Sequence, residues 1–437
     1  MDDHLPPGLR LMASEWRAFA APAYRRYLVL ALCQGVVLAL SGVALAIPLL
    51  IELGLGPGPT TLVASLAVIG PAAQFAVPGL LRRTDGNLRL VTLASAALGE
   101  TRGLWLGLIA VLVALGVGNA LLVAGLVLAT AAMGVFSGVA SANLQAWLAV
   151  ILPEQERRFV APRIVGLGLA VSAVLLVLVA LVLDAAARAF GVGIYAVCFL
   201  AAGVAGAVEV AALSRLPSPG RVRVPRLGPE MPAPPGWRRF VAIATLASLG
   251  SGLAPYYSVY VMSVLRASAS FAVALSALTS GAAVLASTFG AALLAHNSSS
   301  RLLRLGYLSL GGGWIAALAT TPLNPLALPW FVAIALFVSA GGAIVQIATN
   351  ERLFRLAAGP AVMAQQGRFV AIASGATAAG QLASALALAV APVGYPVFAV
   401  LFVVSGAARF AAASRLPVPE SWSDATAVID LADLGRS

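Results

Sequence analysis

The chain has 437 residues, of which 61% are hydrophobic and only 10% charged, with a formal net charge of +11. An ordinary soluble domain carries about 25% charged residues, so this composition excludes a water-facing globule and points to a chain solvated by lipid. All 27 cationic residues are arginines; with no lysine, ATP hydrolysis by a P-loop, Ser-Lys dyads and Schiff-base chemistry are excluded.

Residues 1–26 form a polar arm without the short apolar core and small-residue cleavage site of a signal peptide. Within it, residues 8–20 place Leu9, Met12, Trp16 and Phe19 on the lipid side of an interfacial amphipathic helix. Apolar runs long enough to cross the hydrocarbon core follow. Twelve spans are predicted at 27–51, 61–81, 90–115, 120–146, 164–184, 193–213, 239–263, 271–294, 302–321, 327–349, 367–390 and 393–413. They are helices, because backbone groups in lipid need partners within their own segment and no run alternates as a barrel strand does. The fold class is therefore an all-α integral membrane protein.

The arginines gather in the arm, in alternate loops and in the tail. Only Arg188 and Arg266 fall in the opposite set of loops, while Arg102 and Arg409 lie inside spans. This is the positive-inside pattern, which puts both termini and the 214–238 loop in the cytoplasm and the chain in the plasma (inner) membrane. The basic charge is thus topological and calls for no nucleic acid. His4 and His296 sit outside the spans, and Cys33 and Cys198 lie on separate spans as small core residues, so no metal, cofactor or catalytic residue is expected.

Reading on, the chain repeats itself. "YRRY" at 24–27 precedes the first span and "WRRF" at 237–240 the seventh; "SRLPSP" at 214–219 closes the sixth and "SRLPVP" at 414–419 the twelfth. "FSGVASANLQAW" from Phe136 and "FVSAGGAIVQIATN" from Phe337 match at the ends of the fourth and tenth spans. A duplication of about 200 residues, six helices per copy and parallel in topology, accounts for all of these. It divides the chain into an N-terminal bundle (27–216), a proline-rich basic linker (217–237), a C-terminal bundle (238–419) and an acidic tail (420–437).

Two parallel sets of six helices joined by a basic loop resemble the major facilitator superfamily of secondary transporters, from about residue 18 to 419. The superfamily's loop signature between its second and third helices has a counterpart in "GLLRRTDGNLR" at 79–89: Gly79, Gly86 and Arg89 fit, Arg83 stands where an aspartate is expected, and Asp85 is displaced. The resemblance implies a gating role for this loop and a solute path lined by the first, fourth, seventh and tenth helices.

On those helices several polar residues are candidates. Gly134, Gly138, Ser141 and Gln145 form one stripe of the fourth, and Ser339, Gly342, Gln346 and Asn350 the corresponding stripe of the tenth. Helix packing explains such stripes as well as a cavity wall does. Gln34 and Ser41 stand a heptad apart in the first. Tyr256 and Tyr260 share a face of the seventh with Gly252, either as an interfacial aromatic belt or as a gate or stacking platform.

Charges within spans are functional candidates by default. Glu100 and Arg102, two residues apart, are expected on different faces without pairing; they serve as a tether or, through Glu100, in proton coupling. Glu209 and Arg409, each five residues before "SRLP", are expected to snorkel to water. The chain is expected to act as a monomer, moving a small organic solute by alternating access without ATP, with export of an amphipathic compound favoured over uptake. The alternative is a polytopic protein that does not transport: an intramembrane enzyme, a lipid-handling protein or a scaffold.

Overall fold

The computed structural model describes residues 24–68, 73, 76–152, 154–221, 236–254, 256–356, 362–392 and 394–416. The amphipathic arm, most of the linker and the acidic tail lie outside the described residues. Twelve helices follow one another. These are α1 (Arg25–Glu52), a segmented α2 (Pro57–Ser65, Leu66–Val68 and Val77–Arg83), α3 (Leu88–Ala114), α4 (Asn119–Ile151) and α5 (Glu154–Phe190). Then come α6 (Gly193–Ser214), α7 (Trp237–Ser263), α8 (Ala269–His296), α9 (Ser299–Ala319), α10 (Ala327–Leu356), α11 (Val362–Val390) and α12 (Tyr395–Arg415). Eleven of them are long and apolar enough to cross a membrane; α2, the twelfth, is interrupted. Among the described residues, extended pairing is limited to an isolated antiparallel bridge between Asn87 and Arg221.

The spans read from the sequence correspond to these helices one for one. The differences are local. Helix α2 starts at Pro57, where a proline loses no helical hydrogen bond in the first turn, and α5 is longer at both ends than the apolar run inside it. Four helices are broken in ways the apolar pattern does not show. The chain is extended at Gly42 in α1 and at Ala254 and Tyr256 in α7; Ala254 precedes Pro255, which disfavours a helical residue before it. Helix α3 is interrupted at Thr101, and α4 carries a π turn at Met133–Ser137.

The two halves pack by the same plan. Helix α6 lies on α1 and α3 in the first, and α12 lies on α7 and α9 in the second. The repeated motifs meet in three dimensions. Arg26 Nη1 donates to the Arg215 carbonyl at 2.9 Å, and Arg239 Nη2 donates to the Arg415 carbonyl at 2.8 Å. In each half the arginine that opens the first helix thus caps the C-terminus of the last, where the helix dipole favours a cation. These contacts gather at the arginine-rich end of the molecule, the basic end; the opposite end, with Glu52 and Asp184, is the far end. The halves meet through α5 against α8 and α2 against α11.

Candidate functional site

Helices α4 and α10 each show two exposed faces. On α4, Val150 is exposed and so is Ser141, nine positions away; at 3.6 residues per turn the two stand about half a turn apart. On α10 the exposed Gln346 is nine positions from the exposed Phe337, again on opposite sides. One face of each helix is apolar, as lipid requires, and the other carries polar groups. A Cβ placed on Gly342 would meet nothing within 4 Å, so this stretch of α10 borders open space. Gln346 Nε2 donates to Asn350 Oδ1 at 3.2 Å, aligning two amides along that face.

The two halves are joined at the far end. The buried residues that join one half's apolar core to the other's, Ile47, Ala64, Ala269, Val273 and Ala277, all lie in the far-end portions of their helices. The bent far-end segments of α1 (Val43–Glu52) and α7 (Tyr257–Ser263) pack on each other and on α8. Polar bonds cross the same seam. The Tyr256 hydroxyl donates to the Ala64 carbonyl at 3.2 Å and accepts from Gln381 Nε2 at 2.9 Å, tying α7, α2 and α11 together. The Asp184 carboxylate accepts from the Ser270 amide at 3.2 Å and from the Ser270 hydroxyl at 2.5 Å, joining α5 to α8. Asp184 and Ser270 were not foreseen from the sequence, where neither sits in a motif.

The remaining candidates fall in several places. Ser41 is buried, and its hydroxyl donates to the Val37 carbonyl of its own helix at 2.9 Å. Gln34 is half-buried beside Gly168 of α5. Gly134 belongs to helix packing, because a Cβ there would collide with the Leu66 carbonyl of α2. The Gln145 side chain lies outside the described residues. Tyr260 is fully buried in the second half, its ring 4.9–5.1 Å from those of Phe331, Phe398 and Phe402 and its hydroxyl bonded to the Thr320 carbonyl. Both tyrosines belong to the segment after the break in α7, Tyr256 as its N-cap and Tyr260 one turn on: the Tyr256 hydroxyl joins the seam, the Tyr260 ring the core.

In the loop after α2, Asp85 and Gly86 take left-handed backbone angles (φ 51° and 73°), which turn the chain into α3. Arg83 and Asp85 are exposed, and Gly79 faces open space. Arg89 Nη2 donates to the Ser214 carbonyl at 2.5 Å, a second cation on the C-terminus of α6.

The buried charges depart from expectation. Glu100 and Arg102 do pair, with Nη1 to Oε2 at 3.5 Å, while the same nitrogen donates to the Gly99 carbonyl at 2.5 Å. The interruption of α3 at Thr101 lifts the angular separation that a continuous helix would impose. Glu209 does not snorkel: it is 6% exposed, its Oε2 has no partner among the described residues, and it lies within electrostatic reach of Glu100 and Arg102. Glycines cause this, since Gly103, Gly203 and Gly206 let α6 approach α3 until a Cβ at Gly206 would overlap the Glu100 carbonyl. Arg409 does not snorkel either. It is 3% exposed and bonds to Ser405 and Ser251, whose oxygens supply local acceptors. A separate surface recess of about 530 Å³ at the far end, lined by Glu52, Asp184, Arg188 and Tyr195 among others, belongs to the first half alone.

Among the described residues, twelve helices form two like halves joined at one end, the architecture expected from the repeat in the sequence. No family model matches the chain, and no curated protein matches it by sequence. Solved structures do. The xylose transporter XylE from E. coli in an inward open conformation superposes with a TM-score of 0.66 at 14% identity, over 91% of this chain and 98% of that one. The nucleoside transporter NupG gives 0.63 at 13% identity over 90% and 99%. A bacterial homologue of the iron transporter ferroportin, in an inward-facing state, gives 0.63 at 16% identity over 90% and 98%. The expected architecture is therefore the observed one.

Proposed function

We propose that this chain is a membrane transporter that moves a small organic solute by alternating access, with the cleft between α4 and α10 as its path. The observation that carries this reading is the exposed polar face of each of these helices, opposite its lipid-type face, together with the joining of the halves at the far end. At a lipid contact, the amide groups that Gln346 and Asn350 do not spend on each other would lack partners at a cost of several kcal/mol; facing a hydrated cleft they are solvated and available to a solute.

In the membrane, the basic end faces the cytoplasm of the plasma (inner) membrane, with both termini on that side, and the described conformation is open inward. The monomer contains the whole path. Amide and hydroxyl groups without a carboxylate on the cleft face favour a neutral or amphipathic organic solute, and export over uptake.

The test is counterflow in liposomes containing the purified protein, with a broad panel of labelled solutes, comparing the native chain with Gln346→Ala and Ser141→Leu. At least one solute should exchange, and both variants should slow it at unchanged protein stability. If no solute exchanges, and no cellular solute level responds to the protein or its variants, transport is the wrong reading.

A further inference from the structure

Residues 236–416 contain ten arginines and a single carboxylate, Glu351 near the basic end of α10. Nine of these arginines lie near helix ends or in loops. The other is Arg409 of α12, 3% exposed.

A guanidinium carries five N–H donors. Arg409 Nη1 donates to the Ser405 hydroxyl and, at 3.5 Å, to the Ser405 carbonyl; Nη2 donates to the Ser251 hydroxyl at 3.2 Å. Nε is buried without an acceptor among the described residues, which leaves one further hydrogen on Nη2. Neither serine carries charge, and each has already spent its proton on a carbonyl, Ser405 on Gly250 at 2.8 Å and Ser251 on Ala247 at 3.1 Å. The ionisable groups facing Arg409 are the phenols of Tyr257 and Tyr307. The Tyr307 hydroxyl forms no hydrogen bond among the described residues. Among the described residues the site thus holds a positive charge with no counter-charge, and unspent donors, inside a helix bundle. Buried charges are paired or ligated, because their desolvation cost otherwise exceeds what neutral hydroxyls return.

We propose that the C-terminal bundle binds a monovalent anion on Arg409, held by the Nε and Nη2 protons and the Tyr307 hydroxyl. A single charge matches: a divalent anion would leave the bundle with an uncompensated negative charge. Access runs from the cleft. Tyr257 lies within hydrogen-bonding reach of Ser339, which shares the α10 face with Gly342, where open space begins. The same chemistry admits two occupants, an inorganic halide or the carboxylate of an organic solute. Because the site is read by binding, it stands or falls separately from the transport reading.

The experiment uses the purified full-length protein at fixed sodium concentration and ionic strength, replacing gluconate stepwise by chloride, by bromide, or by acetate and benzoate. Melting temperature is followed, with equilibrium binding of labelled chloride. A ligand that binds only the folded state raises the melting temperature as it saturates. Saturable stabilisation by chloride, about one labelled chloride per chain, and at least tenfold weaker binding in Arg409→Gln establish a halide site. Stabilisation by the carboxylates alone, lost in the same variant, assigns the site to a solute carboxylate. Tyr307→Phe, which keeps the buried cation, should weaken either response several-fold and gives a readout even if Arg409→Gln does not fold. If no anion differs from gluconate, or if the folded variants respond as the native chain does, the site does not exist.

Discussion

The Tyr256 hydroxyl donates to the Ala64 carbonyl across the seam between the two halves, and the same phenol accepts from Gln381 of α11. Together with Asp184 and Ser270 it forms the polar part of the far-end closure. Tyr256→Phe combined with Asp184→Ala removes both sets of bonds and leaves the apolar contacts in place. We expect the far end to open more often. A cysteine replacing Ala64, which is 2% exposed, in a chain whose Cys33 and Cys198 are replaced by serine, reports this: an impermeant maleimide added at the far-end side should label it several-fold faster in the double variant. An unchanged labelling rate would mean that packing alone holds the seam.

The Glu100, Arg102 and Glu209 group sets two carboxylates around one guanidinium. Arg102→Met leaves two like charges facing each other, with Glu209 deeply buried, and breaking a buried pair in this way costs roughly 3–5 kcal/mol. The yield of folded protein should collapse, and adding Glu209→Gln should restore part of it. Size-exclusion profiles in detergent measure both; if Arg102→Met behaves like the native chain, the group carries no structural charge balance.

Two glycines make a contrast. Gly206→Val drives a side chain into the Glu100 carbonyl, and overpacking of this kind costs about 1–3 kcal/mol, so its melting temperature should fall. Gly342→Leu meets open space, so its melting temperature should stay near native while solute exchange drops. A loss of stability in Gly342→Leu would mean that α10 is packed there and that no cleft borders it.

Arg26 and Arg239 cap the last helix of their own halves. Removing either cation from a helix C-terminus should cost about 1 kcal/mol. Because the two bonds lie in different halves, the losses in Arg26→Ala and Arg239→Ala should add in the double variant. Thermal denaturation of the four proteins checks this, and a strongly non-additive result would show the halves coupled at the basic end.

The helices and their duplication were legible in the sequence because lipid demands long unbroken apolar runs and because the copied motifs are arginine-rich and local. The polar faces of α4 and α10 were legible for a similar reason, as helical spacing alone puts Gln346 and Asn350 on one side. The interruptions were not. Thr101 and Gly42 look like ordinary members of apolar spans, and only the packing of whole helices shows that the backbone departs there. The Glu100–Arg102 pair followed from that hidden break, and the burial of Glu209 followed from three glycines whose meaning depends on which helix lies opposite. Tyr256 and Tyr260 stand one turn apart but not in one environment, since Tyr256 is the N-cap of the far-end segment, beside α2 and α11, while Tyr260 lies inside that segment among the aromatic rings of the second half.

The arginine clasps also bear on how the chain is made. Each joins the beginning of a half to its own end, Arg26 to Arg215 and Arg239 to Arg415, and neither reaches across. A half can therefore close as soon as its sixth helix has left the ribosome, before the other exists. The covalent linker between residues 221 and 236 then serves to keep the two finished bundles together in one membrane, in equal numbers, rather than to complete either of them.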